Sequence, residues 1–216
     1  MRVLAWMLSS AMFLGVVGIL AVVMVIQHYS ADLPDVTRLQ DYAPPVVSRV
    51  HAGDGRLMAE FATERRVFVP IDRIPQRVVD AFLAAEDKNF YTHPGVDFMG
   101  LTRAVLTNME NMGQGRRPVG ASTITQQVAK NFLIGNEMSV ARKVREAVLA
   151  FRMERAYTKD EILELYLNEI FFGQRAYGVG SAALAYFNKT LDELTIAEAA
   201  RSEERRVGKE GRSRWS

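Results

Sequence analysis

The 216-residue sequence contains no cysteine, which excludes disulfides, CxxC redox chemistry and thiolate metal sites. Histidine is nearly as scarce, with 3 in the whole chain, and no HExxH or paired-histidine spacing occurs. No acidic loop of metal-binding spacing is present, and the GxxxxGK[ST] phosphate loop is missing. Net charge is also small, with 27 Lys+Arg against 25 Asp+Glu. Six of those cations and three of the acids lie from Arg201 onward, leaving 21 and 22 for the first 200 residues. That balance is no nucleic-acid footprint. No internal repeat and no low-complexity segment is visible.

What the sequence does have begins at the N-terminus. From Val3 to Ile26 run 24 consecutive uncharged residues, VLAWMLSSAMFLGVVGILAVVMVI. As a helix they cover roughly 36 Å, enough for a hydrocarbon core of about 30 Å. A cleaved signal peptide would carry a shorter apolar stretch of about 7–15 residues and a small-residue cleavage site. The expectation is therefore an anchor over residues 1–27. Arg2 precedes it, and Asp32 and Asp35 follow. The positive-inside rule then leaves the N-terminus in the cytoplasm and the bulk of the chain outside.

Residues 28–45, polar and carrying Pro34, Pro44 and Pro45, read as a stalk. Residues 46–70 read as a small β element. There VVSRVH and RLMAEF flank AGDG, a hairpin signal with Asp54-Gly55 at the turn, and ERRVFVPI is expected to add a third strand. After Pro75 the pattern turns helical, with Ile74, Val78, Phe82 and Leu83 at three- and four-residue spacing. Capping boxes at Thr123…Gln126, Thr158…Glu161 and Thr195…Glu198 open further helices, and Ser139 is expected to cap one running to about Tyr157. The last sixteen residues, RSEERRVGKEGRSRWS, have no core-facing stripe. They are a disordered tail or a junction artefact, the artefact being favoured.

Several groups are suited to chemistry. Glu86 and Asp87 close a helix, where the negative end of the macrodipole is unfavourable for acids. A partly buried carboxyl there is expected to have a raised pKa, as a general base needs. Ordinary surface residues at a helix end would read alike, and the residues alone leave both open. His93, before Pro-Gly, fits a structural histidine held within a turn. In VGASTITQQVAKNF, Gly120, Ser122 and Thr123 place N–H groups and hydroxyls at a helix N-terminus, a candidate anion site. Gln126 and Gln127 lie four and three residues before Lys130, so an amide and an ammonium share that helix's face. A merely capped amphipathic helix remains the equal alternative. Arg142, Lys143 and Glu146 lie within one turn, as a cationic cluster or an exposed salt-bridge ladder.

Taken together, EDKNFYTHPGVD, GASTITQQVAKN, RKVREA and KDEILELYLNEIFFG resemble, in order, the peptidoglycan glycosyltransferase domain of class A penicillin-binding proteins and monofunctional transglycosylases. The resemblance covers residues 46 to 200 and implies a mainly α, lysozyme-like fold over 71–200, with a membrane-dipping jaw. In this sequence the jaw is DFMGLTRAVLTNMENMG, whose Phe98, Met99, Leu101, Val105, Leu106, Met109 and Met112 make an apolar surface that a core helix would also show.

The resemblance implies roles as well. Glu86 is the base acting on the 4-hydroxyl of the acceptor, lipid II, and undecaprenyl pyrophosphate leaves the donor with inversion. Arg103, Lys130, Arg142 and Lys143 match positions that hold the pyrophosphate and donor sugar. Glu146 matches a second acid that orients those cations or helps hold a divalent metal, Mg or Mn. Ser122, Thr123, Gln126, Gln127 and Asn131 match the donor-site wall, and Asp87 and His93 match structural support. Implied partners are lipid II, the growing glycan strand, membrane lipid and other cell-wall synthesis proteins. The implied location is the bacterial cytoplasmic membrane, single-pass, with the catalytic domain on the periplasmic side.

Two departures stand out: Lys88 replaces a usual arginine, and GQGRRPVG is slightly long. Neither SxxK nor KTG occurs, so covalent reaction with β-lactams is not expected. The sequence is expected to stop inside the fifth motif, leaving the domain incomplete and its activity in question. Two alternatives remain: a wall-cleaving lytic enzyme, which needs no cation cluster, and a non-catalytic scaffold, for which Glu86 is dispensable.

Overall fold

The computed structural model describes residues 2–30, 33–39, 48–54, 56–61, 65–112, 114, 119–134 and 139–201. Helix α1, Arg2–Ser30, is about 44 Å long at the α-helical rise. Its stretch Met12–Ser30 is long and apolar enough to cross a membrane, and none of it is buried. A 3-10 turn, Val36–Leu39, follows. Val36 and Leu39 sink into the core, and the Tyr157 hydroxyl donates to the Val36 carbonyl at 2.7 Å. Part of the segment read as a stalk is therefore docked on the domain, because its two apolar residues find a core to enter. Residues 40–47, with Pro44 and Pro45, lie outside the described residues, as do 202–216 of the tail.

Strands β1 (Ser48–His51) and β2 (Leu57–Phe61) form the expected antiparallel hairpin, from Ser48↔Phe61 to His51↔Leu57. The third strand does not extend it. β3, Arg65–Arg66, pairs in parallel with β5, Ala176–Tyr177, which also pairs antiparallel with β4, Phe171–Gly173. The reason lies in Arg66, whose guanidinium grips both oxygens of Glu169 and lies 4.4 Å over the Tyr177 ring. A planar fork and an aromatic face satisfy this cation better than a polar hairpin edge.

The rest is helical. α2 (Gln76–Glu86), α3 (Phe98–Glu110), α4 (Ile124–Ala129), α5 (Val140–Ala156), α6 (Lys159–Glu169) and α7 (Gly178–Phe187) follow in order. The capping boxes open α4 and α6 and the turn after Thr195, and Ser139 caps α5 by accepting from the Arg142 N–H. A further box, Thr190 with Glu193, was not anticipated. The core gathers α2, α4, α5, α6 and α7 around Phe82, which meets Tyr166 and Phe172 edge-on at 6.5 and 6.0 Å. This is the mainly α architecture with a small β part that the resemblance implied. α3 stands apart, with Ala104 its one buried residue. The jaw residues from Phe98 to Met112 are exposed, so they form a surface and not a core.

Candidate active site

The acid pair closes α2 by design of the turn that follows. Asp87 is buried, and its carboxylate is within 2.9 and 3.0 Å of His93 Nε2. His93 Nδ1 accepts the Gly95 N–H at 3.1 Å, so Nε2 carries the hydrogen and donates it to Asp87. The same carboxylate accepts the Ile124 N–H at 3.1 Å. Thr123 donates its hydroxyl to the Gly95 carbonyl at 2.6 Å. Gly95 has φ +96, and a Cβ there would sit 2.9 Å from the backbone of Ala150, so only glycine lets this turn lie on α5.

This arrangement corrects the expected anion site. The N-terminus of α4 already holds an anion, the Asp87 carboxylate. Its other free groups are also taken: the Thr123 N–H donates to Gln126 Oε1 and the Gln126 N–H to Thr123 Oγ1. Gln126 is thereby buried as a capping residue, while Thr123 caps and also lines the cavity described next. The helix dipole is spent on fastening the first motif to the second.

Glu86 has a different fate. It is half-buried, and Gln127 Nε2 donates to its Oε2 at 2.7 Å. Together with Lys88, Arg103, Thr107, Gly120 and Ser122 it lines an open cavity of about 280 Å³. At the rim, Lys143 Nζ donates to Ser122 Oγ at 2.9 Å and to Glu146 Oε2 at 2.6 Å. Glu146 is 1% exposed, so the cluster on α5 is no exposed ladder. Arg142 Nε lies 2.9 Å from Glu146 Oε1, yet neither atom makes an aligned hydrogen bond, so this contact is charge against charge. Lys130 is half-buried at the end of α4, where a π-helical turn, Lys130–Ile134, begins, and Asn131 is exposed. The change of helical period breaks the α-helical spacing on which their shared face with Gln126 and Gln127 was read. Neither lines the cavity.

One buried network was missed in the sequence. Glu154 Oε1 accepts from Thr125 Oγ1 at 2.6 Å and from Lys159 Nζ at 2.8 Å. Lys159 also donates to the His93 carbonyl at 2.8 Å and sits 4.4 Å from the Phe90 ring centre. These partners come from α4, α5, α6 and the turn after α2, and no local pattern announces such long-range pairing. At the start of α3, the Gly100 N–H holds the Asp97 carboxyl below its usual range, against burial and with help from Asn89 and His93. Among the described residues no group of three or more His, Asp or Glu side chains gathers. With two cations already against Glu146, these residues do not fit a divalent ion.

The chain's comparison with known proteins agrees with this arrangement. The family model "Transglycosylase" matches residues 54–201, and the chain belongs to that family. Penicillin-binding protein 1A of Rickettsia conorii is 55% identical over 197 residues, covering 91% of this chain and 25% of that protein. Penicillin-binding protein 1A of Escherichia coli K12 is 47% identical over 174 residues, covering 81% of this chain and 20% of that one. The crystal structure of penicillin-binding protein 1A from Haemophilus influenzae is 28% identical, with a TM-score of 0.36, over 76% of this chain and 17% of that one. The chain thus spans about a quarter or less of the length of these relatives.

Proposed function

We propose that this domain is a peptidoglycan glycosyltransferase that polymerises lipid II into glycan strands. Glu86 takes the proton from the acceptor's sugar 4-hydroxyl. The oxygen then attacks the donor's anomeric carbon, and undecaprenyl pyrophosphate departs from the opposite face with inversion. Arg103, Lys143 and Arg142 receive the departing charge, with Lys130 assigned the same task by resemblance alone. Fixed cations near developing negative charge stabilise it without reorganisation at the moment of reaction. α1 crosses the bilayer and holds the domain on the extracytoplasmic side, beside its lipid-linked substrate.

The observation that carries this reading is the shared cavity. Glu86, Arg103 and Ser122 line it together, and Lys143 reaches it through Ser122 while anchored on buried Glu146. A lytic enzyme has no use for that cation cluster, and a scaffold has no use for a half-buried acid held open to a cavity. The test is Glu86→Gln in the full-length protein. Polymerisation of purified lipid II should fall by about 10²–10⁴-fold with the melting temperature kept. Near-normal glycan synthesis by a folded variant would remove Glu86 from the role.

A further inference from the structure

A second cavity, of about 520 Å³, lies between α1 and α5, away from Glu86. Ile26 of α1 and Val144, Val148 and Phe151 of α5 make its apolar walls, and Arg152 and Arg155 stand on it. The two helices are joined at this level. Arg152 Nη2 donates to the Ser30 carbonyl at 3.3 Å, and the Arg145 guanidinium lies 5.7 Å over the Tyr29 ring. Because Met12–Ser30 is the stretch suited to span a bilayer, Ile26 to Ser30 mark its outer boundary. Tyr29 is the kind of side chain that settles there.

The charge on this face is one-sided. The two acids of α5 are engaged elsewhere: Glu146 with Arg142 and Lys143, Glu154 with Lys159 and Thr125. No carboxylate pairs with Arg145, Arg152 or Arg155 among the described residues. Buried Arg145 Nε has no hydrogen-bond partner there. A groove with apolar walls, exposed arginines and a position at the membrane surface suits an amphiphile with an anionic head.

We propose that this groove binds an anionic phospholipid of the bilayer, with an acyl chain between α1 and α5 and its phosphate on Arg152 and Arg155. Lys143 also borders the groove, so the bound lipid lies behind the helix that carries the catalytic cluster. The proposal depends on α1 crossing the membrane and not on the glycosyl-transfer chemistry, so its test reads lipid binding alone.

The full chain in detergent is offered phosphatidylglycerol and phosphatidylcholine in equal amounts, and retained lipid is read by native mass spectrometry. One phosphatidylglycerol should be kept in preference. Arg152→Ala with Arg155→Ala should weaken its binding by about 30-fold, while Arg152→Lys with Arg155→Lys keeps the preference. Equal retention of both lipids by the unaltered chain would overturn the proposal, whatever the variants' folding. So would an unchanged preference in the alanine variant. Displacement of phosphatidylglycerol, one for one, by a polyprenyl diphosphate would assign the groove to the lipid-linked substrate instead.

Discussion

Gln127 of α4 donates its side-chain amide to the Glu86 carboxylate at 2.7 Å, so the acid that ends one helix is oriented by another. Gln127→Glu replaces that donor with a second carboxylate at contact distance. Two such groups cannot both ionise freely, and one proton is retained between them to higher pH. The acidic limb of the pH–rate profile for glycan synthesis should therefore move upward by about one unit or more. An unmoved limb would show that Gln127 does not orient the base.

Glu146→Gln preserves shape and removes the charge against which Arg142 and Lys143 are set. Lys143, with 52% of its side chain exposed, can turn to water, whereas Arg142 at 13% cannot. The expected cost is about 3 kcal/mol, the lower end for breaking a buried pair. Donor affinity should fall as well, because Lys143 loses its fixed position. Melting curves and the donor-concentration dependence of the rate separate the two effects. If neither changes, Glu146 does not clamp the cations.

Gly95→Ala forces a side chain into a left-handed turn and against the Ala150 backbone, 2.9 Å away. Strain of that kind costs about 1–3 kcal/mol before any steric overlap is relieved. A domain of this size should lose roughly 4–10 °C in melting temperature. A variant that melts with the parent would mean that the turn does not rest on α5.

Asp97 gives a pH test. Its carboxyl titrates below the ordinary 3.8 in the folded chain, chiefly because the Gly100 N–H bonds the ionised form. The folded value is depressed, so the associated stability is complete above the unfolded value and fades as pH falls through the folded one. Asp97→Asn should therefore melt below the parent at pH 7 and converge with it towards about pH 3. A gap that stays constant with pH would deny the charge any part.

Local chemistry made much of the fold legible. Thr123 with Gln126 and Thr158 with Glu161 cap helices through contacts three residues apart, which a sequence displays directly. The clustering of Arg142, Lys143 and Glu146 was legible for the same reason, although the burial of Glu146 was not. What distance in the chain concealed was different in kind. Nothing near Ile124 reveals that its N–H belongs to Asp87, 37 residues earlier, so the anion site looked vacant. Nothing near Thr125 reveals Glu154, and the π-helical turn at Lys130 undid an inference that assumed one helical period. Burial of Val36 and Leu39 escaped notice because flanking prolines dominate that segment's composition.

During synthesis Arg66 leaves the ribosome 103 residues before Glu169, the carboxylate it will grip. At about 5–20 residues per second that interval is roughly 5–20 s. Throughout it Arg65 and Arg66 lack their sheet neighbour, since β5 is made later still. Val67 and Phe68, which remain substantially exposed even in the finished domain, are then uncovered beside an unpaired edge. The nascent segment needs shelter from self-association until translation reaches Tyr177, and a chaperone acting in that window would find its target there.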